Sequence, residues 1–190
     1  MSISLLTCLQ RFGTIPAADH DLLLQSWHPR SVAADAYLQQ AGTVCQELYF
    51  LEQGVLRLLT EPLRGPAITQ FFVREGQFCT VLASFESQTP VDKSIQAVSD
   101  GQVLALSKTS LTILGQQLAY FPALLARLIQ QGLLDKLHLR QAYLGQDAAA
   151  RYETLLWQQP EIAHRVPQNM LASYLGITPQ SLSRLRKARA

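Results

Sequence analysis

The chain has 190 residues, 48% hydrophobic and 16% charged, with a formal net charge of +2. That balance describes a folded chain with a real core and excludes a disordered one. No apolar run reaches the roughly 18–20 residues of a membrane-spanning helix, and Met1 to Gln10 lacks a basic residue ahead of its apolar part, so neither a membrane anchor nor a secretory leader is expected.

The length suits one domain of ordinary size and a small second one, and a cytoplasmic location is the expectation. Ser4 to His28 carries leucines at helical spacing, interrupted between Gly13 and Pro16. One or two short helices are expected there, the second over Ala17 to Trp27. From Pro29 to Ser107 short apolar runs alternate with turn dipeptides: Glu47–Leu51, Val55–Leu59, Ile68–Val73, Ile95–Val98 and Val103–Leu106. The turns are Gln53-Gly54, Arg64-Gly65-Pro66, Glu75-Gly76 and Asp100-Gly101. Asp-Gly between two β-rich runs predicts a tight hairpin with both turn residues at positive φ. Strands at this spacing predict an antiparallel sandwich or roll.

Beyond Thr109 the pattern turns helical. Thr109–Ala119 reads as a short helix, and Pro122 opens a long one that runs to Gly145. Along it Leu125, Ile129, Leu133 and Leu137 recur every fourth residue and share a stripe. Such a stripe serves a helix packed on its own domain, or one that also pairs with a second copy as in a coiled coil. We expect the second arrangement, a homodimer. A further helix, Asp147 to Gln158, ends before Pro160.

The last segment, Val166 to Lys187, reads VPQNMLASYLGITPQSLSRLRK. Pro167 suits a first helical turn. Met170, Leu171 and Leu175 are apolar, and Gly176 can stop the helix in the left-handed conformation. Thr178-Pro179 supplies an N-cap and a first-turn proline for the next helix. Leu182 and Leu185 face back, which leaves Gln180, Ser181, Arg184 and Lys187 on the other side. Two short helices joined by a glycine-containing turn describe a helix-turn-helix.

Charge agrees with that reading. Residues 1–100 hold six Lys/Arg against ten Asp/Glu, whereas residues 101–190 hold ten against four. No acid follows Glu161, which points to an anionic partner such as double-stranded DNA. Gln180, Ser181 and Arg184 are the candidate base contacts, because these side chains pair with base edges. Thr178, Arg186, Lys187, Arg189 and Gln168 are the candidate phosphate contacts.

Cys8, Cys45 and Cys79 are odd in number and widely spaced, so they read as small buried residues, not as disulfides or metal ligands. His20, His28, His138 and His164 form no ligand pair. No nucleophile–base motif or phosphate-cradling glycine loop is present. We therefore expect no enzyme, no metal and no cofactor.

The order of these segments resembles a bacterial Crp/Fnr-type transcription regulator over nearly the full length. Ala172 to Arg186, ASYLGITPQSLSRLR, is similar to that family's DNA-reading motif. Glu47 to Arg57, ELYFLEQGVLR, is similar to its strand–turn–strand, with Gly54 as the turn glycine. The resemblance implies an α+β fold: an antiparallel β-roll with flanking helices over residues 1–120, a long dimerisation helix over 121–145, and a small C-terminal helix-turn-helix domain over 146–190. It also implies a sequence-specific DNA-binding regulator. The alternative is a β-roll ligand-binding or protein-interaction module that no longer reads DNA.

The implied ligand pocket departs from the family pattern. Members that bind cyclic AMP carry a Gly-Glu pair for the ribose and an Arg-Ser/Thr-Ala stretch for the phosphate. This chain has Cys79, Thr80, Val81 and Leu82 at the first place, and Val91, Asp92, Lys93 and Ser94 at the second. We expect no cyclic AMP binding, and an unidentified small-molecule effector at most.

Overall fold

The computed structural model describes residues 4–189, without the side chain of Arg189. Helix α1 (Leu5–Gln10) starts at Ser4, whose hydroxyl accepts the Thr7 amide. A 3-10 turn (Ala17–Asp19) leads into α2 (His20–Gln25). The strands are β1 (His28–Val32), β2 (Tyr37–Gln39), β3 (Glu47–Gln53), β4 (Leu56–Thr60), β5 (Ile68–Val73), β6 (Phe78–Cys79), β7 (Lys93–Ala97) and β8 (Gly101–Ser107). They form two antiparallel four-stranded sheets, in the orders β1-β8-β3-β6 and β2-β7-β4-β5. Helix α3 (Leu82–Ser87) lies between β6 and β7.

The expected strands are present, but the hairpin at Asp100-Gly101 is not. β7 belongs to one sheet and β8 to the other, so the chain crosses between layers there. Neither Asp100 nor Gly101 has positive φ. Gly101 is instead the first residue of β8, paired with Val32. A Cβ there would collide with the Gln53 carbonyl oxygen, beside the irregularity in the β3–β8 register. Close approach of two backbones is what requires glycine at this place. The hairpin within a sheet is β4–β5, with Leu56 opposite Val73 and Thr60 opposite Ile68.

The roll's interior is filled by its own side chains, among them Tyr49, Phe50, Leu51, Leu56, Phe85, Ile95 and Leu106. Leu114 of α4 (Lys108–Gln117) and Phe121, Leu124 and Leu128 of α5 (Phe121–Tyr143) join this core. All three cysteines are buried and free. Burial pushes the Cys79 thiol up to about 12, so it stays protonated.

The C-terminal helices are α6 (Ala148–Gln158), α7 (Pro160–Arg165), α8 (Gln168–Leu175) and α9 (Pro179–Arg189). The Asp147 carboxylate accepts the Ala150 amide and so caps α6. Tyr152, Leu155, Ile162, Met170, Leu171, Leu175 and Leu182 make a second core, which also takes in Val55, Phe72 and Val98 from the outer side of the roll. Among the described residues no helix is long and apolar enough to cross a membrane.

Candidate nucleic-acid interface

Helix α8 ends as its residues dictate. Gly176 takes φ 67° and ψ 35°, and its amide donates to the Ala172 and Ser173 carbonyls. Ile177 N–H also donates to Ala172 O, at 3.0 Å. These bonds satisfy carbonyls that an abrupt helix end would strand. Thr178 then caps α9: its hydroxyl oxygen accepts the Ser181 amide at 3.1 Å. Gln168, at the head of α8, donates through Nε2 to Pro179 O at 2.8 Å, which ties the two helix starts together. Leu182 is fully buried and Leu185 half-buried against α8. The angle between the helices is thus fixed by packing and by hydrogen bonds.

The opposite face of α9 is open. Gln180, Arg184 and Lys187 are exposed and follow one another at four and three residues, a single helical stripe. Ser181, beside them, is half-buried. Its hydroxyl accepts from Thr178 Oγ1 at 3.0 Å and from Arg184 Nη2 at 3.4 Å, so it steadies the guanidinium beside it. Arg186 is turned inward: Nη2 donates to the Ala163 carbonyl at the end of α7, at 3.1 Å. That bond satisfies a terminal helix carbonyl. Arg189, also expected to meet phosphate, lies outside the described side chains.

The unit sits on the outer face of the β4–β5 hairpin. Ser173 Oγ donates to Ala67 O at 2.8 Å and accepts from Thr69 N–H at 2.9 Å, completing the β5 backbone from outside the sheet. Thr69 in turn accepts from Arg57 Nη1, and Arg57 donates through Nε and Nη2 to Gln96 Oε1. Arg57 is buried, which lowers its guanidinium pKa. Phe72 meets Tyr174 edge-on at 5.1 Å, and Tyr174 meets Tyr143 of α5 at 5.8 Å. Arg74–Glu161 and a two-bonded Arg165–Glu75 pair close the seam. Sequence reasoning found the helix pair but neither Ser173 nor Glu75, because their partners lie about 90–106 residues away.

The places of the expected ribose and phosphate contacts are occupied internally. Thr80 Oγ1 donates to Glu47 O at 2.9 Å and lies 3.3 Å from Cys45 Sγ. Cys79 and Val81 are buried. Ser84 of α3 accepts from Cys45 N–H and donates to Thr89 O, pinning that helix against the roll. Lys93 Nζ donates to Thr60 Oγ1 and pairs with Asp92 at 3.7 Å. Asp92 is exposed, so it and Lys93 neutralise one another at the surface.

On α5 the apolar stripe divides. Leu125 and Ile129 are half-buried, whereas Leu133 and Leu137 are 53% and 50% exposed, with Leu134 beside them.

Residues 29–117 match the model of the cyclic nucleotide-binding domain. No curated protein gives a significant match. Among solved structures, the c-di-GMP-responsive global regulator CLP of Xanthomonas campestris is 19% identical, with TM-score 0.71 over 91% of either chain. FixK2 of Bradyrhizobium japonicum is 19% identical, with TM-score 0.71 over 85% of this chain and 83% of its own. A Crp/Fnr-family transcriptional regulator of Eubacterium rectale is 14% identical, with TM-score 0.70 over 92% and 83%. This chain shares the fold of these regulators, and its residues 29–117 resemble a cyclic nucleotide-binding domain. Along the chain the two sheets come first, then the long α5, then the α8–α9 pair.

Proposed function

We propose that this Crp/Fnr-type chain is a homodimeric, sequence-specific DNA-binding regulator of transcription, and that its roll does not take cyclic AMP. The observation that carries the reading is the α9 stripe: Gln180, Arg184 and Lys187 stand exposed on a helix whose other side is locked against α8. A second helix held this way enters the major groove, its first residues reaching base edges while flanking cations meet phosphate. Arg184 suits the two acceptors of guanine and Gln180 those of adenine. Ser181 supports Arg184, and Lys187 reaches a phosphate.

Dimerisation rests on Leu133, Leu134 and Leu137, an apolar strip that the chain itself leaves uncovered. A second copy of α5 covers such a strip at low cost, and two reading helices then face successive major grooves about 34 Å apart. The refusal of cyclic AMP rests on Thr80, whose hydroxyl donates internally, and on Lys93, which is bonded to Thr60 and paired with Asp92. Selection of bound sequences from random duplex DNA tests the proposal. A recovered near-palindromic site with half-sites about one helical turn apart supports it. Recovery of no sequence preference contradicts it.

A further inference from the structure

Arg151 lies outside the helix-turn-helix, in the first turn of α6. Its stem is fixed from below, because Nε donates to the Asp147 carbonyl at 3.4 Å while the Asp147 carboxylate caps the same helix. Its guanidinium reaches the turn between α8 and α9. A Cβ placed on Gly176 would lie 3.3 Å from Arg151 Nη1. Two demands therefore fall on that glycine: a φ of +67°, and room for a cation directly over the turn.

The segment beneath, Gly176 to Lys187, contains no acid. A half-buried guanidinium, bonded through Nε to the Asp147 carbonyl, thus stands beside the start of the reading helix. Where a reading helix enters the major groove, the turn before it runs along the phosphate strand that forms the groove wall.

We propose that Arg151 is a DNA-backbone contact, a cation supplied by α6 that grips the phosphate passing the Gly176 turn. This rests on the DNA-binding reading above and adds to it a positioning residue outside the two-helix motif. Arg151 carries no sequence information in this role. It sets how deeply and at what angle α9 enters the groove, because one guanidinium bridges α6, the turn and the phosphate.

The test uses the full chain and a duplex recovered by selection, with affinity measured against potassium chloride concentration. In Arg151→Gln the plot of log K against log salt is shallower by about 0.9 per half-site, so the affinity lost between 50 and 200 mM salt shrinks about 3.5-fold for each. Arg151→Lys keeps the slope, and both variants keep the base preference. Replacing single phosphates with methylphosphonates gives the second readout: one position weakens the native protein and leaves Arg151→Gln indifferent. If Arg151→Gln loses helix content, Arg151→Met, which retains an apolar stem, takes its place. An unchanged slope in the folded variant overturns the assignment alone. A native protein that binds no duplex at all overturns the regulator reading with it.

Discussion

Glu75 and Arg165 meet across the seam between roll and C-terminal helices through two parallel hydrogen bonds, Oε2 to Nη1 at 2.9 Å and Oε1 to Nη2 at 2.7 Å. Glu75 Oε1 also accepts the Gly54 amide at 2.9 Å, at the turn where the chain passes from one sheet to the other. One carboxylate therefore joins the sheet crossing to the end of α7, six residues before Leu171 of α8 in the second core. The Arg165 guanidinium, first among the causes, holds the Glu75 carboxyl down to about 2.

That depression fixes the direction of a pH effect. A carboxyl whose folded pKa lies below its unfolded value contributes stability above the unfolded pKa, near 4.5. The contribution is lost as pH falls from there through about 2. Both side chains are more than a third exposed to water, so the neutral-pH value is small, about 0–1 kcal/mol. Thermal melts of the native protein and of Glu75→Gln should differ slightly at pH 7, with the gap closing between pH 5 and 2. A gap that stays constant over that range means the pair is not formed in solution.

The apolar strip on α5 makes its own prediction. Leu133→Glu combined with Leu137→Glu places charges where a second copy is expected to pack, at positions the monomer leaves half exposed. Light scattering at micromolar concentration should report a dimer for the native chain and a monomer for the variant. Helix content should be unchanged, because neither side chain belongs to either core. A native chain that is monomeric under these conditions contradicts the dimer.

Cyclic AMP should not bind. Thr80 and Lys93 donate internally, and the exposed Asp92 carboxylate opposes a phosphate beside it. Titration calorimetry should show no heat of binding with cyclic AMP up to millimolar concentration. A micromolar dissociation constant would overturn the reading of the roll as self-filled.

Gly176 offers a local check. Its left-handed φ costs any other residue about 1–2 kcal/mol, and a methyl group would press on Arg151 Nη1. Gly176→Ala should lower the unfolding free energy by at least that amount, measured by urea denaturation. A neutral result would mean that the turn relaxes without loss.

How much of this was legible in the sequence depended on where each residue's partner lies. The β4–β5 strands, the long helix and the α8–α9 pair depend on short-range patterns: alternation, four-residue spacing, Thr178-Pro179 after Gly176. They were readable and the fold contains them. β1 escaped notice because four of its five residues are exposed and Pro29 breaks any apolar alternation. β6 is two residues long, and α7 begins at Pro160, a residue read only as the end of α6. The Asp100-Gly101 expectation went wrong because a tertiary demand, room for the Gln53 carbonyl, calls for glycine as strongly as a tight turn does. At the interface, the exposed stripe followed from helical spacing. The inward engagement of Arg186 did not, since Ala163 lies 23 residues away.

The central claim is that α9 reads bases through Arg184, and the most direct measurement is binding of Arg184→Ala and Lys187→Ala to a selected site and to unrelated duplex. A bidentate guanidinium–guanine contact discriminates by about 1–3 kcal/mol, so Arg184→Ala should weaken the selected site by that amount and relax one base position. Lys187→Ala should weaken both duplexes alike and reduce the salt slope by about one. If Arg184→Ala instead lowers affinity for both duplexes equally and preserves the base preference, Arg184 touches only phosphate and the account of how this protein selects its site is wrong.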